Sequence, residues 1–463
     1  GAAWAAPVVA ASAAVPAFAS STECEWNSTE NYSISGQPSG ARDTLKITIP
    51  AKVDKLRFEV AGGAGGGSAQ VAGGSGALVT GEIPVKAGQV VELVAAAGGV
   101  AYLASEPGVD SAAIWQTRPA TGGKGYGNGG DVNEQPVPAD AKARVEANAP
   151  MPSDMKRYLY GGSGGGSSAL IIDGTPIAVA GGGGGAGIRT QPGTNNMPSS
   201  SPFYNPKAVN ASTTSLGDTA VKSVLPAGAS ASAAAGGDAE TSISHYTVLK
   251  PYANERTAMK VAGGKGGNGG VGGAGGEQPL LYNDANFYGV LGFTSQNKQE
   301  LFSSATAGDK GGSGFDGKGA DGVFAYSYQI DNNDISKLEI VHQTNPLNLN
   351  EKRPYSEKDT RKSFNGYQTV VSAGGGAGYG GGGSGAARGL SSIITSQKWN
   401  ANEEPTRYRQ NVSALLQAGA GGAGGSYVSP TVPNGIIASA NNAAKQSGVR
   451  NPGYVKVTLC TRS

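Results

Sequence analysis

Ile177-Ala178-Val179-Ala180 runs without a break into Gly181-Gly182-Gly183-Gly184-Gly185-Ala186-Gly187, so a short apolar segment ends directly in glycine. The same design recurs along the chain. Leu56-Arg57-Phe58-Glu59-Val60-Ala61 leads into GGAGGG, Ala258-Met259-Lys260-Val261-Ala262 into GGKGGNGGVGGAGG, and Thr369-Val370-Val371-Ser372-Ala373 into GGGAGYGGGGSG. This is an internal repeat in kind, without a fixed period. Around it lie Leu45–Ile49, Val90–Val94 and Tyr454–Leu459, whose period-two alternation predicts half-buried antiparallel strands. Helical signal is confined to Ala139–Asn148, after Pro138. Polar stretches at about 188–257, 277–310 and 331–368 carry little periodicity. They read as surface insertions, loops or small strand pairs, where an exported protein would place partner contacts.

Glycine supplies 77 of 463 residues, against an average usage of about 7%. The clusters follow no strict triplet period over the chain, which excludes collagen. Charged residues make up 15%, and 36 basic against 34 acidic side chains leave a net charge of +2, with no electrostatic footprint for nucleic acid. A glycine run in isolation is a flexible linker. Ordering it costs more backbone entropy than ordering any other residue, so an ordered run must gain contacts that only glycine permits. Bundled polyproline-II-like helices offer such contacts: three residues per turn, a rise of about 3.1 Å, and N–H and C=O groups free for neighbours. The runs are flanked by strands and interrupted by small or turn-forming residues (Ala64, Ser163, Ala186, Asn268, Ala423), which favours order. Gly183 and Gly375 are the candidate inner positions, where a Cβ would hold the helices apart.

Ala2–Ala19 carries no charge and ends in Ala17-Phe18-Ala19, an A-x-A-like cleavage site before Ser20. It reads as the apolar part of a bacterial export signal. A membrane helix competes, but Pro7 and Pro16 interrupt a stretch already short for a span of about 20 residues. If retained, the segment becomes an assembly element: burying Trp4, Val8, Val9, Val15 and Phe18 in another subunit would hold copies together. Export also makes a disulfide the natural pairing for Cys24 and Cys460, the only cysteines, with two free buried thiols as the alternative.

Glycine-rich sequence matches motifs by chance. Gly161-Gly162-Ser163-Gly164-Gly165 satisfies the G-x-S-x-G elbow, yet the only histidines, His245 and His342, stand in no recognisable context. Gly263–Gly276 contains G-x-G-x-x-G without a following helix, and Lys265 lacks the Ser/Thr of a P-loop. Gly311–Gly319, with Asp316 and Asp321, resembles the start of one calcium-binding nonapeptide; a solvated turn is the alternative. No cofactor or metal is assigned. The 18 tyrosines, as in Phe203-Tyr204, Tyr326-Ser327-Tyr328 and Arg407-Tyr408-Arg409, suit loop contact surfaces or core caps.

Several of these segments together resemble the glycine-rich domain family of bacterial surface proteins and of the anaplastic lymphoma kinase ectodomain. They are Leu45–Pro50, Lys55–Gly67, Gly76–Val85, the Lys86–Gln89 turn, Gly161–Ala169, Ile177–Gly187 and the closing Gly453–Val457. The resemblance implies a scaffold for binding or surface structure and not for catalysis. The expectation is a mainly β protein: an antiparallel β-sheet scaffold, a bundle of polyglycine-II-like helices, long surface insertions and little α-helix. Residues 1–19 form the export-signal-like or assembly segment and 20–463 the glycine-rich β domain. The expected function is an exported, extracellular, cell-surface structural subunit that assembles with itself into a filament or surface layer. A monomeric adhesin binding a host or glycan ligand through its insertions is the alternative.

Overall fold

A computed structural model of the chain describes residues 25–67, 72–103, 117–136, 139, 157–189, 223–224, 234–247, 250–280, 304–329, 366–396, 409–443 and 447–461. In chain order the first strands are β1 (Glu25–Ser35), β2 (Asp43–Thr48), β3 (Val53–Ala61), β4 (Ala77–Pro84), β5 (Val90–Ala95), β6 (Tyr102–Leu103) and β7 (Thr117–Arg118). There follow β8 (Arg157–Tyr160), β9 (Ser168–Ile172), β10 (Thr175–Ala180), β11 (Ile188–Arg189), β12 (Ser223–Val224), β13 (Ala239–Thr247) and β14 (Lys250–Val261). The last are β15 (Ser304–Thr306), β16 (Phe324–Gln329), β17 (Gly366–Val371), β18 (Ala387–Ser396), β19 (Arg409–Ala418), β20 (Tyr427–Val428), β21 (Ile436–Ser439) and β22 (Tyr454–Thr461). No α-helical element occurs among the described residues, and the Ala139–Asn148 segment lies almost wholly outside them.

Two five-stranded antiparallel sheets, ordered β1-β22-β3-β4-β21 and β2-β5-β9-β10-β20, face each other as a sandwich. Alternation decides what lies between them. Leu56, Phe58 and Val60 of β3, with Val455, Val457 and Leu459 of β22, point inward against Val91 and Leu93 of β5 and Leu170 and Ile172 of β9. The intervening Arg57 points out, where it pairs with Glu82 at 2.7 Å and lies 4.1 Å over the Trp26 ring. The first and last described strands close the sheet: Trp26 of β1 stands opposite Cys460 of β22. Cys460 is fully buried and disulfide-bonded, and Cys24, the chain's other cysteine, precedes the first described residue.

A second β region holds the sheets β11-β19-β18-β15, β12-β13-β14 and β16-β17-β8, the last with a parallel β17–β8 pair. It has its own small core of Leu159, Val323, Val370 and Leu416. Residues 188–257 contribute β11, β12, β13 and the start of β14, and 277–310 contribute β15. Residues 234–238, 277–280 and 307–310 are described outside strands, and the rest of these stretches, with 331–365, lie outside the described residues. Tyr326, read as a loop contact residue or a core cap, is a buried residue of β16 that stands opposite Thr369 of β17.

Three glycine-rich segments cross from one β region to the other: 161–167 from β8 to β9, 181–187 from β10 to β11, and 419–426 from β19 to β20. Others leave a strand and return, as 372–386 does between β17 and β18.

Candidate functional site

The feature that sets this chain apart is the body of glycine runs between its β regions. Successive N–H groups of one run point to different neighbours, and every third returns to the same one. Gly374 and Ala377 donate to Gly162 and Gly165, Gly375 and Gly378 to Ala320 and Gly317, and Gly376 and Tyr379 to Gly422 and Gly425, at 2.8–3.0 Å. Gly62 and Gly65 donate likewise to Ala77 and Gly74, and Gly63 and Gly66 to Gly166 and Ser163. The hydrogen-bond partners of a backbone buried without a sheet are thereby accounted for.

Glycine is required here for closeness rather than for torsion. A Cβ on Gly183 would lie far inside 3.0 Å of the Gly74 carbonyl oxygen, and one on Gly375 equally close to that of Gly382. Neither glycine has a positive φ. Both predicted inner positions thus stand against neighbouring backbone. Between Gly263 and Glu277 the non-glycine residues Lys265, Asn268, Val271, Ala274 and Glu277 fall at every third position and are all exposed. That local triplet was visible in the sequence, and is the signal that marks an outer run.

The polar interruptions serve backbone donors. Ser163 accepts from the Val100 N–H at 2.9 Å and donates to the Thr121 carbonyl at 2.9 Å. It is fully buried, and the serine of the G-x-S-x-G match caps backbone groups. Ser372 and Ser384 accept from Val323 and Asp309 N–H groups in the same way. Of the calcium-like stretch, Asp321 accepts from Asp131 N–H and pairs with Lys318 at 2.8 Å. Among the described residues no group of three metal-ligating side chains comes together.

Rings join the glycine body to the sandwich. Phe315, Tyr379 and Tyr427 stand with centroids 4.8–5.1 Å apart. Phe315, Tyr427 and Tyr126 pack on Val94, Ala169, Ile171 and Val179, the face of the β5-β9-β10 sheet turned away from the sandwich core. Burial, and then Asp316 and Glu92, raise the Tyr126 phenol above its ordinary value. Phe315 and Tyr379 sit on glycine turns, so sequence reasoning, which looked to paired or clustered aromatics in loops such as Tyr326-Ser327-Tyr328, did not single them out as ring contacts. A scan against family models and a search of curated proteins both find no match to this chain.

Arg388, just past the 372–386 run, was also missed. It is fully buried, its guanidinium donating to Gln417 Oε1 and to the Leu280 carbonyl, and burial pushes its pKa down to about 10. Trp4, Val8, Val9, Val15 and Phe18 lie outside the described residues, as does His342.

Proposed function

We propose that this chain is an exported, cell-surface structural protein that assembles with itself into an extracellular filament or surface layer. Its glycine runs are polyglycine-II-like helices packed as one rigid bundle. The observation that carries this is the threefold return of hydrogen bonds along residues 374–379, each third N–H reaching the same neighbouring run. A helix with three residues per turn and no internal bonds has that outward pattern. Such a body gives rigidity and contributes no reactive group, and its buried serines are spent on backbone donors. Residues 1–19 hold neighbouring subunits together, and Cys24 closes a bridge to Cys460 that ties β1 to β22.

Electron micrographs of the purified native protein test the assembly. Regular filaments or sheets are expected; single particles at every concentration would favour the adhesin instead. Amide exchange tests the bundle: Gly374–Tyr379 should exchange as slowly as the strand amides of Val60 and Val455. Exchange within minutes would make the runs loops.

A further inference from the structure

The two sheets of the sandwich are not sealed along their whole shared edge. On one sheet β21 covers only Ala77–Thr80 of β4, which continues to Pro84. On the other, β20 covers only Ala178 and Val179 of β10, which begins at Thr175. Among the described residues, the halves of β4 and β10 remote from the glycine body are therefore paired on one side only, with β3 and β9, and their outer edges carry no strand; the Ser429 N–H alone reaches the Ile177 carbonyl there. The link from β20 to β21 crosses this seam and drops Val432 into it, 6% exposed. Gly81 makes room for that plug: a Cβ there would come within 2.6 Å of Val432 Cγ1 and 3.0 Å of the Phe58 ring.

Beyond Val432 the seam opens as a cleft of about 400 Å³, within the range of sites that accept small groups. Its floor is Ile83, Ile172 and Ile177, and its rim includes the exposed Thr175 and Thr431. Its one charged group, Asp173, is held by Val90 N–H at 2.8 Å and Gln89 Nε2 at 3.0 Å. Ile436 and Ile437 stand exposed on neighbouring β21. The cleft thus suits an uncharged, extended peptide that presents a branched aliphatic side chain as Val432 does, its backbone adding to a free strand edge.

Ala2–Ala19 has that chemistry: no charge, the Val8-Val9 pair, and two prolines that disfavour a helix but are tolerated on an edge strand. The 24 residues before Glu25 span at most about 80 Å. Glu25 sits on β1, at the opposite edge of the same sheet from β4 and β21. A donor on one edge and an acceptor on the other is a heterologous arrangement, which propagates copies in a line. Resting on the self-assembly reading above, we propose that this cleft is the acceptor for residues 1–19 of a neighbouring copy, which extend the free edge of β4 and seat one valine of the Val8-Val9 pair.

The test uses the full chain with a photoreactive amino acid at Thr175, mixed from unlabelled and nitrogen-15-labelled stocks. Crosslinks from Thr175 to residues 1–19 of the other isotopic chain are expected. Thr175→Arg and Thr431→Arg, both on the exposed rim, should raise the concentration needed for assembly by about tenfold or more. Crosslinks within one isotopic chain only, or filaments that persist unchanged in both arginine variants, overturn the acceptor and leave self-assembly standing. So does a native filament protein whose N-terminus is Ser20. Particles that stay single at every concentration overturn the self-assembly reading itself.

Discussion

Phe58 and Gly375 are both buried, and they stabilise their surroundings in opposite ways. Phe58 fills space between two sheets, and its worth is the apolar area and the contacts of a large side chain. Gly375 leaves space, so that carbonyls of neighbouring runs can come to hydrogen-bond distance. One region is held by side chains with its backbone in ladders, the other by backbone alone. A mutation that shrinks a residue should therefore damage the sandwich, and one that enlarges a residue should damage the glycine body.

The largest effect is expected from Gly183→Val or Gly375→Val. The added atoms meet backbone that is fixed by further bonds, so we expect a loss above about 4 kcal/mol, seen as no folded protein or a collapsed melting temperature. Parent-like melting of either variant would break the comparison. Phe58→Ala should cost about 3–5 kcal/mol in denaturant unfolding, through lost transfer energy and the cavity left behind. A cost under about 1 kcal/mol would mean that the sandwich core is not what holds that region. Reduction of the disulfide at Cys460 should lower stability by about 2–4 kcal/mol, measured as the shift in denaturation midpoint with and without reductant. The smallest effect belongs to Gly88→Ala. Gly88 has φ +87 and nothing within 4 Å of a Cβ, so only torsional strain of about 1–2 kcal/mol applies. The same change costing as much as at Gly183 would erase the distinction between glycine kept for torsion and glycine kept for closeness.

The strands of the sandwich were legible because burial on one face writes a period of two: Leu56-Arg57-Phe58-Glu59-Val60 and Tyr454–Leu459 both alternate. Their partners were not. Pairing of β1 with β22 joins residues more than 400 positions apart, and local pattern carries no record of it. The glycine runs were set apart in the sequence by their composition and their flanking strands. Which run neighbours which depends on backbone contacts with no side chain to vary, so the order of the body could not be read. The aromatic cluster escaped for another reason: Phe315, Tyr379 and Tyr427 are scattered singly, and only the folded turns bring them within 5.1 Å. The open seam was equally hidden, since it arises from how far β20 and β21 extend beside β10 and β4.

The segments 161–167, 181–187 and 419–426 join the two β regions covalently. At the rise of the proposed glycine helix, about 3.1 Å per residue, each lies close to the limit of about 3.3–3.6 Å that a chain can reach. A segment in that helix would have almost no slack to take up. Tension that draws the sandwich away from the far sheets would stretch three near-taut straps at once and load their lateral hydrogen bonds in shear, many together, rather than peeling them one by one. A body of this kind resists elongation from the first ångström, whereas a linker of the same composition would pay out freely.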